Sequence, residues 1–251
     1  MKPKQRQDQI AEIVAREGDV SIETLVARLS VSAETVRRDL SHLAEGGVIR
    51  KVYGGARRPS LHIEGSFHDR LSAHAAAKRV IAQKLVPLIS PGETIFVDTG
   101  STTLICAEAL ATLGPFTVIT NSARIASVFA SGLPRHSIFL LGGAYSGDNA
   151  ETLGPMVIEQ IGAFQADHAI VSATAIDGDL GAMDADFNEA RVARAMLDRA
   201  RQLILVADAS KFGQRAAHSV CGLATIDVLV SDQRPTPPLA AQLLAAGVAL
   251  P

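Results

Sequence analysis

Short β-rich runs that alternate with helical patterns constrain the fold of residues 94–230 more than any other feature of the sequence. Each run has three to five residues, mostly Val, Ile, Leu and Phe, and is followed by polar residues or glycine. The runs are residues 94–97, 116–119, 137–141, 168–171, 202–206 and 228–230. Helical patterns lie between them, at residues 104–110, 123–129 and 191–200. This alternation predicts an α/β domain with a mostly parallel sheet and helices on its faces.

The first 58 residues have a different pattern, of three helices followed by a hairpin. Apolar residues recur at helical spacing in three segments, and Ser21 and Ser32 stand where they can cap the second and third helices. Gly46-Gly47 ends the third helix, and residues 48–53 followed by Gly54-Gly55 predict a β-hairpin. Two helices joined by a tight junction and followed by a hairpin indicate a winged helix-turn-helix.

Basic residues are concentrated in this N-terminal segment. Residues 1–58 contain 11 Lys and Arg against 8 Asp and Glu, although the whole chain carries a net charge of −2. The bias is sharpest in residues 35–58, where only Asp39 and Glu45 oppose six basic side chains, Arg37, Arg38, Arg50, Lys51, Arg57 and Arg58. A basic patch on a small unit favours a polyanionic partner.

The predicted shape and the charge together indicate DNA binding. The first turn of the third helix would place Ser32, Glu34, Thr35 and Arg38 near base edges in the major groove. Arg37 and the wing residues Arg50, Lys51 and Arg57 would contact phosphates. The alternative is that Arg37-Arg38-Asp39 is an ordinary ion-paired helix surface. The order of three helices, a turn and a basic wing favours DNA binding.

Ligands of an open parallel sheet bind at the carboxyl ends of its strands, and the loops there are rich in hydroxyls and glycine. Hydroxyls and backbone N–H groups at the start of a helix suit a phosphate, and a lysine is a suitable partner for the same group. Each loop is also typical of ordinary helix caps, but five of them at one edge favour a small anionic ligand. The candidate residues are Asp98, Gly100, Ser101, Thr102, Thr103, Thr120, Asn121, Ser122, Gly142, Gly143, Asp177 and Lys211.

The acidic group Asp184, Asp186 and Glu189 has two interpretations. Asp186 and Glu189 fit a capping box for the helix at residues 191–200, which we favour over catalysis or metal binding. Asp184 and Asp186 are also candidates for binding ligand hydroxyls, because carboxylates accept hydrogen bonds from sugars. The seven histidines are scattered, and we predict no metal site, no cofactor and no catalytic residue.

The composition is that of a globular protein, with 47% apolar and 20% charged residues. We expect a DNA-binding domain at residues 1–58, a linker at residues 59–74 and an effector domain at residues 75–251. No run reaches the roughly 20 apolar residues of a membrane span, and the N-terminus lacks the apolar stretch of a signal peptide. Cys106 and Cys221 give no hint of a disulfide framework. These features predict a cytoplasmic protein with no membrane partner.

Specific motifs resemble the DeoR family of bacterial transcriptional repressors. In the N-terminal segment they are residues 31–40 (VSAETVRRDL), Leu43, Gly47, Arg50 and Gly54-Gly55-Ala56, with Tyr53 where the family usually carries His. In the rest of the chain they include residues 98–103 (DTGSTT), 120–122 (TNS), 141–143 (LGG), 176–177 (ID) and 208–213 (DASKFG). Residues 184–192 look most like the branch that represses glycerol-3-phosphate catabolism.

The resemblance implies a repressor that binds operator DNA as a homodimer or homotetramer, with Tyr53 among the DNA contacts. It implies that a phosphorylated sugar or polyol releases the repressor from a carbohydrate or polyol operon. It also implies an effector domain similar in fold to sugar-phosphate isomerases, in which Asn121, Asp177 and Lys211 line the sugar. Two alternatives remain open from the residues: an isomerase-like enzyme with an N-terminal DNA-binding appendage, and an architectural DNA binder without an effector.

Overall fold

The computed structural model describes residues 2–45, 48–57, 65–132 and 135–251, with only the backbone for Glu45 and Arg50. The chain forms two compact units, the first within the N-terminal 61 residues and the second comprising most of the remaining chain. In the part of the chain that the structure describes, no helix has the length and apolar character to cross a membrane.

The first unit contains three helices and a small antiparallel sheet. Its elements are α1 (Pro3–Glu17), β1 (Asp19–Ser21), α2 (Ile22–Leu29), α3 (Ala33–Glu45), β2 (Arg50–Val52) and β3 (Gly55–Arg57). A continuous core joins the three helices and the sheet through Ile10, Leu25, Val36, Leu40 and Ala56, all of which are fully buried. The structure confirms the predicted helix-turn-helix with its hairpin wing.

Local capping explains where the two helices of the helix-turn-helix begin and end. Ser21 Oγ accepts a hydrogen bond from Thr24 N, and Ser32 Oγ accepts one from Thr35 N, so both serines cap as predicted. Ser30 adopts a left-handed conformation with φ 51°, which ends α2 and turns the chain into α3.

The small sheet contains one strand that the sequence pattern missed, β1. The chain that leaves α1 runs alongside the hairpin, so β3 lies between β2 and β1 and is antiparallel to both. A Cβ atom at Gly55 would lie 2.3 Å from the Val20 carbonyl oxygen, so only glycine allows β1 and β3 to approach this closely. β1 has three residues, too few for an alternating pattern to predict it.

The second unit is built on a six-stranded sheet in the order β14-β12-β9-β4-β5-β6, with every neighbouring pair parallel. The six strands coincide with the six predicted runs, so the predicted α/β architecture is confirmed. The strands of this unit are β4 (Thr94–Val97), β5 (Thr117–Thr120), β6 (Ser137–Leu140), β7 (Ala144–Ser146), β8 (Glu151–Leu153), β9 (Ala166–Ser172), β10 (Ala175–Asp177), β11 (Gly181–Asp184), β12 (Ala200–Val206), β13 (His218–Cys221) and β14 (Val228–Val230).

Helices cover both faces of this sheet. They are α4 (Phe67–Ser72), α5 (Ala75–Leu85), α6 (Ser101–Leu110), α7 (Ala123–Ser131), α8 (Pro155–Ile161), α9 (Phe187–Leu197) and α10 (Leu239–Ala245). Successive side chains of a strand point to opposite faces, and β4 shows this clearly. Ile95 and Val97 pack in a core with residues of α5, α6 and α7, whereas Phe96 packs in a second core with residues of α8, α9 and α10.

Additional strands lie outside the main sheet. β10, β11 and β13 form a small antiparallel sheet, and β7 pairs with β8 in a hairpin. The loop within the β7–β8 hairpin contains Ala150 in a left-handed conformation with φ 52°. These strands have three or four residues each, and their sequences lack the long apolar runs of the main sheet.

Part of the segment predicted as a linker is a helix. Residues 67–72 form α4, and Phe67 is buried in the core shared with α6. Ser66 caps the helix, since its Oγ accepts a hydrogen bond from Asp69 N. The segment predicted as a linker thus contains a helix, α4, which is too short to show periodicity and packs against the core through Phe67 and Leu71. Residues 58–64 lie outside the described residues.

Candidate functional site

The first candidate surface is the exposed side of α3. Asp39 is buried and turns towards α1, where Arg6 Nε donates to Asp39 Oδ2 at 2.5 Å and Gln7 Nε2 donates to Asp39 Oδ1 at 3.0 Å. The hydrogen bond that Arg6 donates to Asp39 raises the pKa of Arg6. Because Asp39 is engaged with α1, it does not pair with the neighbouring Arg37 and Arg38.

The remaining residues predicted at the start of α3 lie together on this surface. Arg38 is exposed, and no carboxylate among the described residues forms a salt bridge with it. Arg37 Nη1 lies 3.6 Å from Glu34 Oε2, an exposed pair one helical turn apart. Thr35 Oγ1 lies 2.9 Å from Ser32 Oγ, which fixes the first turn of the helix. This surface presents one unneutralised arginine beside short polar side chains.

The wing extends the same candidate surface. Tyr53 at the turn between β2 and β3 is fully exposed. Lys51 Nζ donates to Ser41 Oγ at 3.0 Å, which ties the wing to α3. Arg57 Nη2 lies 2.5 Å from Asp19 Oδ2, so the charge of Arg57 is partly neutralised. The predicted roles of the Arg50 side chain and of Arg58 lie outside the described residues.

The second candidate site lies where the order of the parallel strands reverses. The chain passes from β4 to β5 and β6 on one side, then returns to β9 on the other side of β4. The loops that follow β4 and β9 therefore separate at the carboxyl edge and leave a crevice between them, the usual position of ligands in open α/β sheets. Ser101 and Thr102 from the first loop and Ser172 and Ala173 from the second line this crevice.

Gly100 shapes the floor of the crevice. A Cβ atom at this position would lie 2.4 Å from Ser172 Oγ and 3.0 Å from Thr103 Oγ1. Gly100 precedes α6, and no side chain caps the N-terminus of this helix. The first N–H groups of α6 are therefore directed at the crevice, an arrangement that favours an anion.

Basic side chains surround this helix N-terminus. The cleft, of about 200 Å³, is lined by Arg70, His74, Lys78 and Lys211 in addition to the hydroxyl-bearing loops. Lys78 is buried, donates to Ala73 O at 2.8 Å and also donates to Arg70 O, which holds the connection between α4 and α5. Of these four residues, sequence reasoning found only Lys211. It missed Arg70 and His74 because it treated residues 59–74 as a linker, and it missed Lys78 because a lysine within a helical pattern gives no local sign of a site.

A group of carboxyl groups lies beside the basic cleft. Asp98 and Asp184, both predicted as site residues, are buried here together with Glu151, and Glu189 is partly exposed. Burial, and then the charges of Asp184 and Glu151, raise the pKa of Asp98 well above its ordinary value. Thr174 Oγ1 donates to Asp184 Oδ1 at 3.3 Å. The basic cleft, which Asp208 also lines, thus adjoins an acidic cluster.

Asn149 connects the two remaining carboxyl groups of the cluster. Its Nδ2 donates to Glu151 Oε1 at 2.7 Å and to Glu189 Oε1 at 2.9 Å, while its Oδ1 accepts from Arg70 Nη2. Burial, together with the charges of Glu151, Asp184 and Asp98, raises the pKa of Glu189 to about 9. Burial also raises the pKa of Glu151. Sequence reasoning did not find Asn149 or Glu151.

The capping-box interpretation holds for Asp186 and fails for Glu189. Asp186 Oδ1 accepts hydrogen bonds from Asn188 N and Glu189 N and so caps α9. A capping box also requires Glu189 to accept from Asp186 N, but Asp184 Oδ1 accepts from that group instead. Glu189 is drawn to Asn149, 40 residues away along the chain.

Several predicted effector residues have structural contacts in the loops, and their binding roles stay predictions. Thr103 Oγ1 donates to Gly100 O, and Thr120 Oγ1 donates to Val97 O. Asp177 Oδ1 accepts from Asp179 N and Leu180 N and so closes the β10–β11 turn. The same holds for Ser122, which caps α7, for Gly142, which is bonded to Gln160, and for Gly143, which packs against Val157.

The side chain of Asn121 is only partly satisfied. Its Nδ2 donates to Thr152 O at 3.1 Å, whereas its buried Oδ1 has no hydrogen-bond partner among the described residues.

Cys106 and Cys221 are free thiols and are buried. In the ranges that the structure covers, no group of three or more His, Cys, Asp or Glu is arranged to hold a metal ion.

Comparisons with known proteins identify both units. Residues 6–61 match the DeoR-like helix-turn-helix domain, and residues 73–233 match the DeoR C terminal sensor domain. Two relatives from Escherichia coli K12 are each 34% identical to the chain. The HTH-type transcriptional repressor CsqR is similar over 95% of this chain and 91% of that protein. The glycerol-3-phosphate regulon repressor is similar over 94% of this chain and 93% of that protein.

Solved structures with a similar fold are more distant. Ribose 5-phosphate isomerase A from Methanocaldococcus jannaschii has a TM-score of 0.41 and 14% identity over 56% of this chain and 55% of that chain. The tetrameric eIF2B-β2-δ2 complex from Chaetomium thermophilum has a TM-score of 0.49 and 15% identity over 96% of this chain and 86% of that chain. The two domain matches and the repressors at 34% identity establish that the chain belongs to the DeoR family and is a transcriptional regulator, not an enzyme.

Proposed function

We propose that this regulator represses a carbohydrate or polyol catabolic operon in the bacterial cytoplasm and leaves its operator when a phosphorylated sugar or polyol binds the second unit. The observation that carries the effector class is the basic lining of the cleft. Arg70, Lys78 and Lys211 line the cleft together with the uncapped N-terminus of α6, against one acidic residue, Asp208, and these groups together favour a phosphate. The adjoining carboxyl groups suit the hydroxyls of the same ligand.

The exposed surface of α3 and the wing support operator recognition. Arg38 lies beside Thr35 at the start of α3, where a recognition helix contacts base edges. Tyr53 and Lys51 lie on the wing, where they are available to the DNA backbone. A homodimer or homotetramer would present at least two such helices, so we expect half-sites about one helical turn apart, or a multiple of one turn.

Release by the effector requires a difference in affinity. A ligand shifts a population only when it binds one conformation more tightly than the other, so the effector must prefer the conformation with low operator affinity. By the same linkage, operator DNA must weaken effector binding by an equal factor.

Relatives named for the glycerol-3-phosphate regulon support glycerol 3-phosphate as a candidate effector. Other relatives have different names, including a putative aga operon transcriptional repressor and the GlcR repressor. The test therefore uses a panel of glycerol 3-phosphate, hexose phosphates, pentose phosphates and their unphosphorylated parents.

Fluorescence anisotropy of the DNA upstream of the protein's own gene measures binding and release together. We expect tight binding by the wild-type chain and release by a phosphorylated compound but not by its parent. Lys211→Ala should still bind the DNA but need a higher effector concentration for release, and Arg38→Ala should bind the DNA poorly. DNA binding that no compound of the panel weakens would contradict the proposed effector class. Equal binding to unrelated DNA would contradict operator recognition.

A further inference from the structure

The contacts between Asn149, Glu151 and Glu189 lie outside the main sheet, in the β7–β8 hairpin and in α9. Asn149 and Glu151 flank Ala150 in the β7–β8 hairpin, and the left-handed conformation of Ala150 allows the side chains of its two neighbours to meet. Glu189 approaches from the first turn of α9. A left-handed conformation at a non-glycine residue costs free energy, and so does the close approach of two carboxyl groups that share one amide donor. Such unfavourable features are typical of functional sites.

Hydrogen bonding within the cluster is incomplete. Glu151 Oε2 and Thr99 Oγ1 are buried and have no hydrogen-bond partner among the described residues. Thr99 lies near enough to Glu151 to favour its ionised form, but the two side chains do not form a full hydrogen bond. A buried hydroxyl and a buried carboxylate oxygen left unsatisfied are unfavourable. A ligand hydroxyl that approaches both side chains from the cleft would donate to Glu151 and accept from Thr99.

The cluster is continuous with the basic cleft. Arg70 lines the cleft and donates to Asn149, which holds both glutamates. Thr99 immediately precedes Gly100 on the loop that leads into α6. The carboxyl groups of Asp98 and Asp184 lie near enough to Glu189 to raise its pKa. A ligand with its phosphate at the start of α6 would therefore extend its other end towards Thr99 and Glu151.

We propose that Thr99, Glu151 and Glu189 form a hydroxyl-binding subsite, positioned by Asn149, that selects effectors carrying free hydroxyls beside the phosphate. This inference rests on the proposed function, because it assigns the second end of the same ligand. The ligand class is a small phosphorylated polyol or sugar, and the size of the cleft, about 200 Å³, suits such a molecule.

The protonation of the two glutamates determines their roles. Glu189, with its pKa raised to about 9, carries a proton at neutral pH and can donate a hydrogen bond to a ligand oxygen. Glu151 then serves as the acceptor for ligand hydroxyls. A site whose buried polar groups are satisfied by a substrate hydroxyl rejects an analogue that lacks it, because those groups are left unpaired.

The test is isothermal titration of the full chain at pH 7 with three probes: glycerol 3-phosphate, which has two free alcohol groups, n-propyl phosphate, which has the same chain length and none, and inorganic phosphate, which has no carbon chain. For the wild type we expect glycerol 3-phosphate to bind at least about 10-fold more tightly than n-propyl phosphate. Glu151→Gln and Thr99→Val should remove most of this preference and leave the affinity for n-propyl phosphate within about twofold. Glucose 6-phosphate is titrated in parallel as a larger polyol phosphate.

Two further variants separate a ligand contact from a structural role. Glu189→Gln retains a donor and an acceptor, so it should keep most of the preference, whereas Glu189→Ala should lose it. Glu108→Gln, at an exposed position on α6, is the matched control and should change nothing. Melting temperatures of all variants show whether each one is folded.

The outcomes distinguish this inference from the function on which it rests. If no phosphorylated probe binds the wild type, the proposed effector class and the subsite both fail. If the probes bind but glycerol 3-phosphate, glucose 6-phosphate and n-propyl phosphate have equal affinities, the effector class stands and the subsite is refuted. The subsite is also refuted if folded Glu151→Gln and Thr99→Val keep the wild-type preference.

Discussion

Arg6 and Asp39 join α1 to α3, with Arg6 Nε 2.5 Å from Asp39 Oδ2 and both side chains nearly buried. This contact has two consequences for function. It fixes α3 against α1, and it withdraws the acidic side chain from the arginine pair that precedes it. Asp39, an acidic residue inside a basic stretch of sequence, thus stabilises the position of the basic surface through its contact with α1.

Asp39→Asn tests the structural part of this arrangement. The substitution keeps the shape of the side chain but removes the charge that accepts from Arg6 and Gln7, so the buried guanidinium loses its counterion. We expect the melting temperature of the N-terminal unit to fall by about 5–10 °C and operator affinity to fall with it. Calorimetry of the full chain measures the first and anisotropy the second. Glu12→Gln, at an exposed position on α1, should affect neither.

Arg38→Ala tests the DNA-facing part. Arg38 is exposed and contributes little to the core, so the variant should melt at the wild-type temperature. A lost base contact should raise the Kd for the operator by about 10-fold or more. If Arg38 contacts a phosphate instead, the loss of affinity should be similar for all DNA sequences. The slope of log Kd against log salt concentration should then fall by about one.

Arg16→Ala is the control for Arg38→Ala. Arg16 is on α1, is 68% exposed and pairs with Glu17, so its removal changes the net charge by the same amount. Equal weakening of operator binding by the two variants would indicate a general charge effect and would exclude a specific role for Arg38. Effector binding should be unchanged in both.

The sequence predicts the six strands of the main sheet because each is a short apolar run bounded by polar residues. Apart from the edge strand β6, which is largely exposed, these strands are mostly buried on both faces, as Ile95 and Phe96 illustrate by packing in opposite cores. The caps Ser21 and Ser32 are also predictable, because a cap depends on residues within one turn.

Contacts between distant parts of the chain were not predictable from local patterns. Arg70 reaches Asn149 across 79 residues, and Glu189 reaches the same residue across 40. Glu189 matches the local signature of a capping box, but a tertiary contact prevails and Asp184 takes the position that the box assigns to it. Arg70 and His74 in the cleft were missed for the same reason, since α4 is packed against the core by Phe67 and Leu71, which make tertiary contacts.

Gly100→Ala tests the shape of the cleft. The added methyl group would lie 2.4 Å from Ser172 Oγ, so the two loops at the crevice would have to separate or the Ser172 side chain would have to rotate into the site. We expect effector affinity to fall at least about 10-fold, with operator affinity unchanged, so that the variant remains on DNA at effector concentrations that release the wild type.

A second substitution checks the reason for this loss. Ser172→Ala removes the hydroxyl that the new methyl group meets, and the remaining Ser172 Cβ lies 3.4 Å away, an acceptable contact. The double variant Gly100→Ala/Ser172→Ala should therefore bind the effector more tightly than Gly100→Ala alone. If the double variant is no better, the clash with Ser172 is not the cause.

The raised pKa of Glu189 predicts how stability depends on pH. The ordinary pKa of a glutamate is 4.5, and in the folded chain that of Glu189 is about 9. Between these values the unfolded chain releases the proton while the folded chain retains it, so the contribution of Glu189 to stability is fully present below pH 4.5 and decreases as the pH rises towards 9. Glutamine does not titrate and lacks this dependence.

Glu189→Gln should consequently be more stable than the wild type at pH 8 and close to it at pH 5. We expect the difference in the free energy of unfolding between variant and wild type to increase by about 1–3 kcal/mol over this range, less than the full shift would give because Glu151 titrates together with Glu189. Urea unfolding at both pH values measures it, with the exposed Glu159→Gln as control. A difference that is constant between pH 5 and pH 8 would mean that Glu189 is already ionised in the folded chain. Asn149 would then hold two carboxylates, and the donor role of Glu189 in the hydroxyl-binding subsite would be lost.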